Sequence, residues 1–249
     1  MGRVIAFANF KGGVGKTTSV ANIGAALARR GYKTLLMDLD AQQNLTFTFL
    51  REEAESSVYD ALRGEASLPI LKVKDNLYLS PSSIDLARAE LDLSARIARE
   101  GILKGLLSYI AEDYDFVLLD CPPSLGIVTY NALVAASTLY IPLTAEALPY
   151  KGLTMLEEVV GEIKALNPSL TIGGVFITRY NNRNINDLVE EQIRARYGSK
   201  VFATRIRENI ALAEAPLTGS DIYGYAPDSN GAKDYDSLTD EIVSRWTNN

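Results

Sequence analysis

Along residues 3–203, short unbroken apolar runs alternate with stretches whose apolar residues recur every three or four positions. Val4-Ile5-Ala6-Phe7, Leu35-Leu36-Met37 and Phe116-Val117-Leu118-Leu119 are too short for helices and show no polar alternation, as expected of strands buried on both faces. Val20, Ile23, Ala26 and Leu27 keep helical spacing, and Gly31 supplies a stop. The pattern predicts strands at 3–9, 34–38, 77–80, 116–120, 139–143, 171–178 and 200–203. It predicts helices at 16–30, 102–111, 126–136, 152–166 and 186–197. Residues 52–75 are less regular and read as a surface excursion. Alternation of this kind builds parallel βαβ units, so the fold class is α/β: a doubly wound, mostly parallel sheet flanked by helices. No internal repeat, linker or break in composition interrupts it, so residues 1–249 read as a single domain.

Composition then removes several chemistries. With 47% apolar and 22% charged residues in 249, the chain is an ordinary globule rather than a disordered one. Its one cysteine, Cys121, excludes a disulfide framework or an all-cysteine metal cage within the chain. The absence of histidine excludes a Ser-His-Asp hydrolase and a His-ligated zinc enzyme. No run is long and apolar enough for a transmembrane helix, and the amino terminus lacks a signal-peptide pattern. Gly2 meets the first requirement for myristoylation, but Ala6 stands where Ser or Thr is needed. A cytoplasmic location is expected.

The most informative stretch is Phe10-Lys11-Gly12-Gly13-Val14-Gly15-Lys16-Thr17-Thr18, set between a predicted strand and a predicted helix. Glycines let main-chain N–H groups curl around phosphate oxygens, and the helix N-terminus adds free donors and a favourable dipole. Lys16 is placed to contact the β- and γ-phosphates, and the Thr17 hydroxyl to ligate Mg²⁺. A dinucleotide fingerprint fits less well: Gly13 and Gly15 match, but Thr18 occupies the third position. The stretch is read as a nucleoside-triphosphate site, and the fold as that of P-loop NTPases. Phe10 stands where the strict P-loop pattern has glycine, and Lys11 precedes the glycine pair instead. Asp120, after an apolar strand, has the position of a carboxylate that reaches Mg²⁺ through water. Asp38 ends the second strand and Asp40 lies just beyond it, and for Asp38 a solvated loop is as good a reading as a functional one.

Lys11-Gly-Gly-Val-Gly-Lys16-Thr-Thr resembles the deviant Walker A motif of the ParA/MinD family of ATPases. Asp38-Leu39-Asp40-Ala41-Gln42-Gln43-Asn44 is similar to that family's first switch, Asp120-Cys121-Pro122-Pro123-Ser124 to its Walker B segment, and Leu212-Ala213-Glu214-Ala215-Pro216 to a late signature. Within the family the likeness is to short ParA/Soj-type partition proteins. The resemblance implies ATP and Mg²⁺ as cofactors and a homodimer closed around ATP. Phosphate contacts then come from Lys11, Gly12, Gly13, Val14, Gly15, Lys16, Thr17 and Thr18, with Thr17, Asp40 and Asp120 at the metal. It also implies that Asp40 positions the attacking water and that Lys11 reaches the partner's phosphates, making Lys11, Lys16 and Asp40 the catalytic set. Thr178-Arg179-Tyr180-Asn181-Asn182 resembles a family segment near the adenine and Arg207-Glu208-Asn209 occupies the other, which makes Asn181, Arg207 and Glu208 the implied base contacts. The choice of ATP rests on this resemblance, with no guanine-reading Asn-Lys-x-Asp motif present. An iron–sulfur role for Cys121 needs a second cysteine, so it is expected to be a packing residue.

The chain carries 25 basic and 31 acidic residues, a net charge of −6, which argues against binding nucleic acid with its whole surface. The charge is uneven: residues 179–207 hold seven basic against three acidic side chains. The resemblance implies non-specific DNA binding by the ATP-bound dimer, driven in cells by slow hydrolysis and a ParB-like centromere-binding activator, and with it a nucleoid location. Ala211 stands where such proteins often carry arginine, so Arg183, Arg205 or Arg207 is expected to compensate. Ala41 and Gln43 replace the commoner Pro and Gly of the first switch. The alternative is a MinD-like or cargo-positioning ATPase acting on a protein or membrane surface. The acidic 240–249 end argues against the membrane, and Trp246 is expected to cap the core.

Overall fold

A computed structural model describes residues 3–145, 150–181 and 183–247; Gly2, Asn182 and residues 248–249, which entered the sequence reading, lie outside it. The chain runs β1 (Arg3–Phe7), α1 (Lys16–Arg29), β2 (Thr34–Asp38), α2 (Asn44–Phe49), α3 (Val58–Leu62), β3 (Leu71–Lys74), β4 (Leu77–Ser80), α4 (Ala89–Asp92), α5 (Ile102–Leu107), β5 (Phe116–Asp120) and α6 (Ile127–Ala135). Then follow β6 (Thr138–Thr144), α7 (Tyr150–Ile163), β7 (Thr171–Tyr180), α8 (Asn184–Tyr197), β8 (Val201–Arg207), α9 (Ala211–Glu214), α10 (Ile222–Tyr225) and α11 (Asn230–Thr247). The strands form one sheet in the order β3-β4-β2-β5-β1-β6-β7-β8. Every pairing is parallel except that of the edge strand β3 with β4.

Because side chains alternate across a strand, each apolar run feeds two cores. Ile5 and Phe7 meet Val20, Ile23 and Leu27 of α1 and Tyr235, Leu238 and Ile242 of α11. Val4 and Ala6 face the opposite layer, with Leu103, Leu133, Leu156 and Ile193 of α5 to α8. The predicted doubly wound sheet is therefore observed, and β1 lies where connections leave in both directions. Ligands bind at the carboxyl ends of strands at such a point.

Two expectations are corrected. Residues 52–75 contain α3 and the edge strand β3, with Val58, Tyr59 and Leu62 fully buried. The Ser57-x-x-Asp60 capping box starts α3, with Ser57 N donating to Asp60 Oδ2 at 2.7 Å. The short acidic end is the last part of the 18-residue α11. Its Glu241 covers part of the open edge of β8, accepting from the amides of Ala203 (2.8 Å) and Thr204 (2.6 Å), which hinders further strand pairing there. Trp246 does cap the core, donating from Nε1 to the buried Tyr140 hydroxyl at 3.2 Å. Among the described residues, no helix is long and apolar enough to cross a membrane.

Candidate functional site

β1 delivers the chain into residues 8–15 at the carboxyl end of the sheet, and α1 begins at Lys16. Gly13 (φ 73°) and Gly15 (φ 83°) take the left-handed conformation that lets the loop double back and aim its amides inward. Asn9 shapes this turn from beneath. Its Oδ1 accepts from the Lys11 amide at 2.9 Å, and its Nδ2 donates to the Pro142 carbonyl of β6 at 2.8 Å. From β7, Thr178 Oγ1 donates to the Val14 carbonyl at 2.9 Å. The loop is held open by protein groups alone, the preorganisation a phosphate cradle needs. Sequence patterning did not find Asn9 or this role of Thr178; the one signal was a polar residue ending each buried strand.

Lys16 is buried, and its ammonium donates to the Asn9 carbonyl at 3.1 Å. Burial lowers its pKa, while the nearby Asp120 and Asp40 carboxylates act in the opposite sense. Asp120, at the tip of β5, is 1% exposed. Among the described residues no group gives either of its oxygens a hydrogen bond of ordinary geometry, although the Thr17 hydroxyl and the Lys16 ammonium stand close enough to favour the charged form. Burial, and then Asp38, push its pKa well up. A buried carboxylate with unused lone pairs beside a hydroxyl fits a hard cation that takes oxygen ligands and completes its shell with water and phosphate.

Asp38, at the tip of β2, is fully buried, which overturns the solvated-loop reading. Burial raises its pKa to about 6, against the pull of hydrogen bonds from Thr46 and the Asp40 amide. Asp40 lies one turn further on, its Oδ1 accepting the Gln42 amide at 3.0 Å. Gln43 takes φ 58°, the conformation in which glycine is common. Cys121 is buried and packs in the core, as expected, with burial pushing its thiol pKa up.

A cavity of about 660 Å³ runs from this cluster toward β8. Gly12, Gly13, Gly15, Lys16, Thr17, Thr18 and Asp40 line one end; Arg179, Arg207, Glu208, Ile210 and Leu212 line the other. The end far from the glycine loop thus mixes apolar and charged groups, as a base-sized compartment does. Arg207 and Glu208, expected near the base, are among these lining residues. Asn181 lies outside the lining and donates from Nδ2 to Glu208 Oε2 at 3.3 Å. Lys11 is exposed, 3.4 Å from the Thr144 hydroxyl, and also stands outside the lining. Arg179, from the basic stretch singled out in the sequence, sits in the left-handed region (φ 51°) with its guanidinium 3.9 Å from Glu208.

The arginines expected to face nucleic acid differ in availability. Arg183 is exposed at the start of α8. Arg205 pairs with the buried Glu190 (2.6 Å), and Arg207 is held by Asp234 through its amide (2.9 Å) and Nη2 (2.6 Å). Both latter guanidinium groups are committed to carboxylates.

A family profile described as an AAA domain matches residues 2–172. The chain is 44% identical over 250 residues to the chromosome-partitioning ATPase Soj of Treponema pallidum, covering 98% of both chains. It is 41% identical over 251 residues to the sporulation initiation inhibitor protein Soj of Bacillus subtilis, covering 98% of this chain and 99% of that one. Among solved structures, a cobyrinic acid a,c-diamide synthase from Mycobacterium smegmatis with bound ADP and magnesium superposes with a TM-score of 0.87 at 34% identity, over 99% of this chain and 96% of that chain.

Proposed function

The chain belongs to the ParA/Soj family of P-loop ATPases, and on that premise we propose that it is a partition switch that dimerises around ATP, binds DNA non-specifically and lets go on hydrolysis. ATP hydrolysis is its activity, with Mg²⁺ as cofactor, and partition is its process. The observation that carries the site reading is the buried carboxylate of Asp120, without an ordinary hydrogen bond among the described residues and close to Lys16 and Thr17 at the start of α1.

In this reading the amides of residues 12–18 and the Lys16 ammonium hold the phosphates. Thr17 and Asp120, with Asp40, hold Mg²⁺, which when bound neutralises phosphate charge. Phosphoryl transfer needs alignment and charge compensation more than covalent help. Asp40 orients the attacking water. Lys11, exposed and outside the lining of its own cavity, supplies a cation to the partner's phosphates. Arg207 and Glu208 hold the base. A ParB-like activator accelerates turnover, and the protein is cytoplasmic and nucleoid-associated.

Arg183 is the candidate phosphate contact of each subunit, doubled in a dimer. The engagement of Arg205 and Arg207 by carboxylates, with Ala211 in place of arginine, favours a second reading: the same switch acting on a protein surface without DNA. A salt titration of DNA binding with a slowly hydrolysed ATP analogue separates them. Partition through DNA predicts analogue-dependent retention that falls steeply with salt; no retention at low salt selects the second reading.

A further inference from the structure

The turn that carries Asp40 has neither proline nor glycine between residues 39 and 45 to make it rigid. It is held from beneath. Asp38 Oδ1 accepts the Asp40 amide at 3.1 Å, and Asp38 Oδ2 accepts both the Thr46 amide (2.8 Å) and the Thr46 hydroxyl (2.7 Å). The same hydroxyl oxygen accepts the Ser82 amide at 3.0 Å, from the segment that follows β4. Asp38 and Thr46 are 0% and 4% exposed, so no water replaces these bonds.

We propose that Thr46 is a positioning residue for hydrolysis: its hydroxyl ties the first turn of α2 to Asp38 and to the end of β4, and so fixes where Asp40 stands. One oxygen serves two buried groups at once, as a donor to Asp38 and an acceptor from Ser82. Without it, a carboxylate lone pair and a main-chain N–H lose their partners together, and burial makes that costly. The relief open to the fold is movement of residues 39–46 toward solvent, which carries Asp40 away from the cavity. The phosphates are gripped mainly by residues 12–18, and Thr17 and Asp120 remain for the metal, so the loss falls far more on turnover than on nucleotide affinity. A small displacement of an aligning group is enough to slow a step that depends on alignment. The inference rests on the reading of Asp40 given above.

The test uses the full chain as wild type, Thr46→Val, Thr46→Ser and Asp40→Ala. Affinity is read with Mg²⁺ and a slowly hydrolysed ATP analogue, and turnover with ATP. Thr46→Val keeps the shape and loses the hydroxyl. It is expected to hold affinity within about threefold while kcat falls about tenfold or more, and Thr46→Ser to recover kcat to within about threefold of wild type. Thr46→Ala removes the same oxygen should the Val form not fold. Amide exchange at Asp40 and Gln42 is expected to quicken in Val or Ala but not in Ser, with α1 unchanged. Turnover within about twofold of wild type in a folded Val or Ala variant overturns the proposal. So does a Ser variant as slow as Val, or an affinity loss equal to the loss of kcat. If Asp40→Ala hydrolyses at the wild-type rate, the reading of Asp40 fails. If it is slow while Thr46→Val is normal, only the role of Thr46 falls.

Discussion

Asp38 and Asp120 face each other on the same rung of the neighbouring strands β2 and β5. Two buried carboxylates at this spacing cannot both ionise cheaply: burial and then Asp38 raise the pKa of Asp120, while burial and the Asp40 charge raise that of Asp38. Alone they are a liability in the fold. Beside a divalent cation the same charges would become attractive, in keeping with the proposed Mg²⁺ site.

Their burial fixes the sign of a pH effect. Burial lifts Asp38 to about 6, above its ordinary range, and lifts Asp120 in the same direction. A carboxyl group raised in the folded state stabilises the fold fully below its unfolded pKa, and that contribution is lost as pH rises through the folded value. The nucleotide-free protein is therefore expected to melt higher at pH 5.5 than at pH 7.5 through these groups. Asp120→Asn should stabilise the apo form by about 1–3 kcal/mol at pH 7.5, flatten this pH dependence and remove Mg²⁺-dependent turnover. Thermal melts of both proteins across pH check this; equal slopes would count against it.

Lys16→Ala removes the one buried ammonium in the glycine loop. Nucleotide affinity is expected to drop by roughly 100-fold or more, since a charge-assisted contact to phosphate is lost in a partly desolvated site. Calorimetric titration with ATP measures this, and near-normal affinity would refute the loop's assignment to phosphate.

Asp40→Ala touches no phosphate-holding group. Binding of ATP should persist while turnover stops, trapping the ATP-bound dimer, which size-exclusion chromatography with ATP detects. An unchanged hydrolysis rate would falsify the water-positioning role.

Gln43 occupies the left-handed region with a side chain that disfavours it, at a cost of about 1–2 kcal/mol. Gln43→Gly should be neutral or stabilising by up to about 1 kcal/mol, whereas Gln43→Val, β-branched, should destabilise by about 1–2 kcal/mol. Denaturant unfolding of the pair decides; a stable Val variant would contradict the backbone argument.

Arg183 and Arg205 should separate charge that serves the fold from charge free to bind. Arg205→Ala leaves the buried Glu190 with Arg194 as its remaining cation (2.7 Å) and is expected to lower stability by about 1–2 kcal/mol. Arg183→Ala should leave the melt unchanged and reduce the salt dependence of DNA binding. The opposite assignment of effects would show that these two arginines have been read the wrong way round.

The chain's own sequence determined what is local. Apolar runs and helical spacing placed every described strand except the edge strand β3 within a few residues of where it lies. The glycine loop and the carboxylates after β2 and β5 marked the chemistry, because phosphate binding requires a particular backbone shape at a particular point in the chain. Even the missed helix α3 had its capping box written in Ser57 and Asp60. Burial of side chains at loop ends was not legible: Asp38 reads as a polar loop residue until β4 and β5 close over it. The pairing of Arg205 with Glu190, of Arg207 with Asp234, and of Thr46 with both Asp38 and Ser82 joins segments up to 36 residues apart, and no local rule selects among the many polar partners such distances allow. Contacts set by main-chain geometry can be read along the chain, whereas contacts set by which surfaces meet exist only once the sheet is assembled.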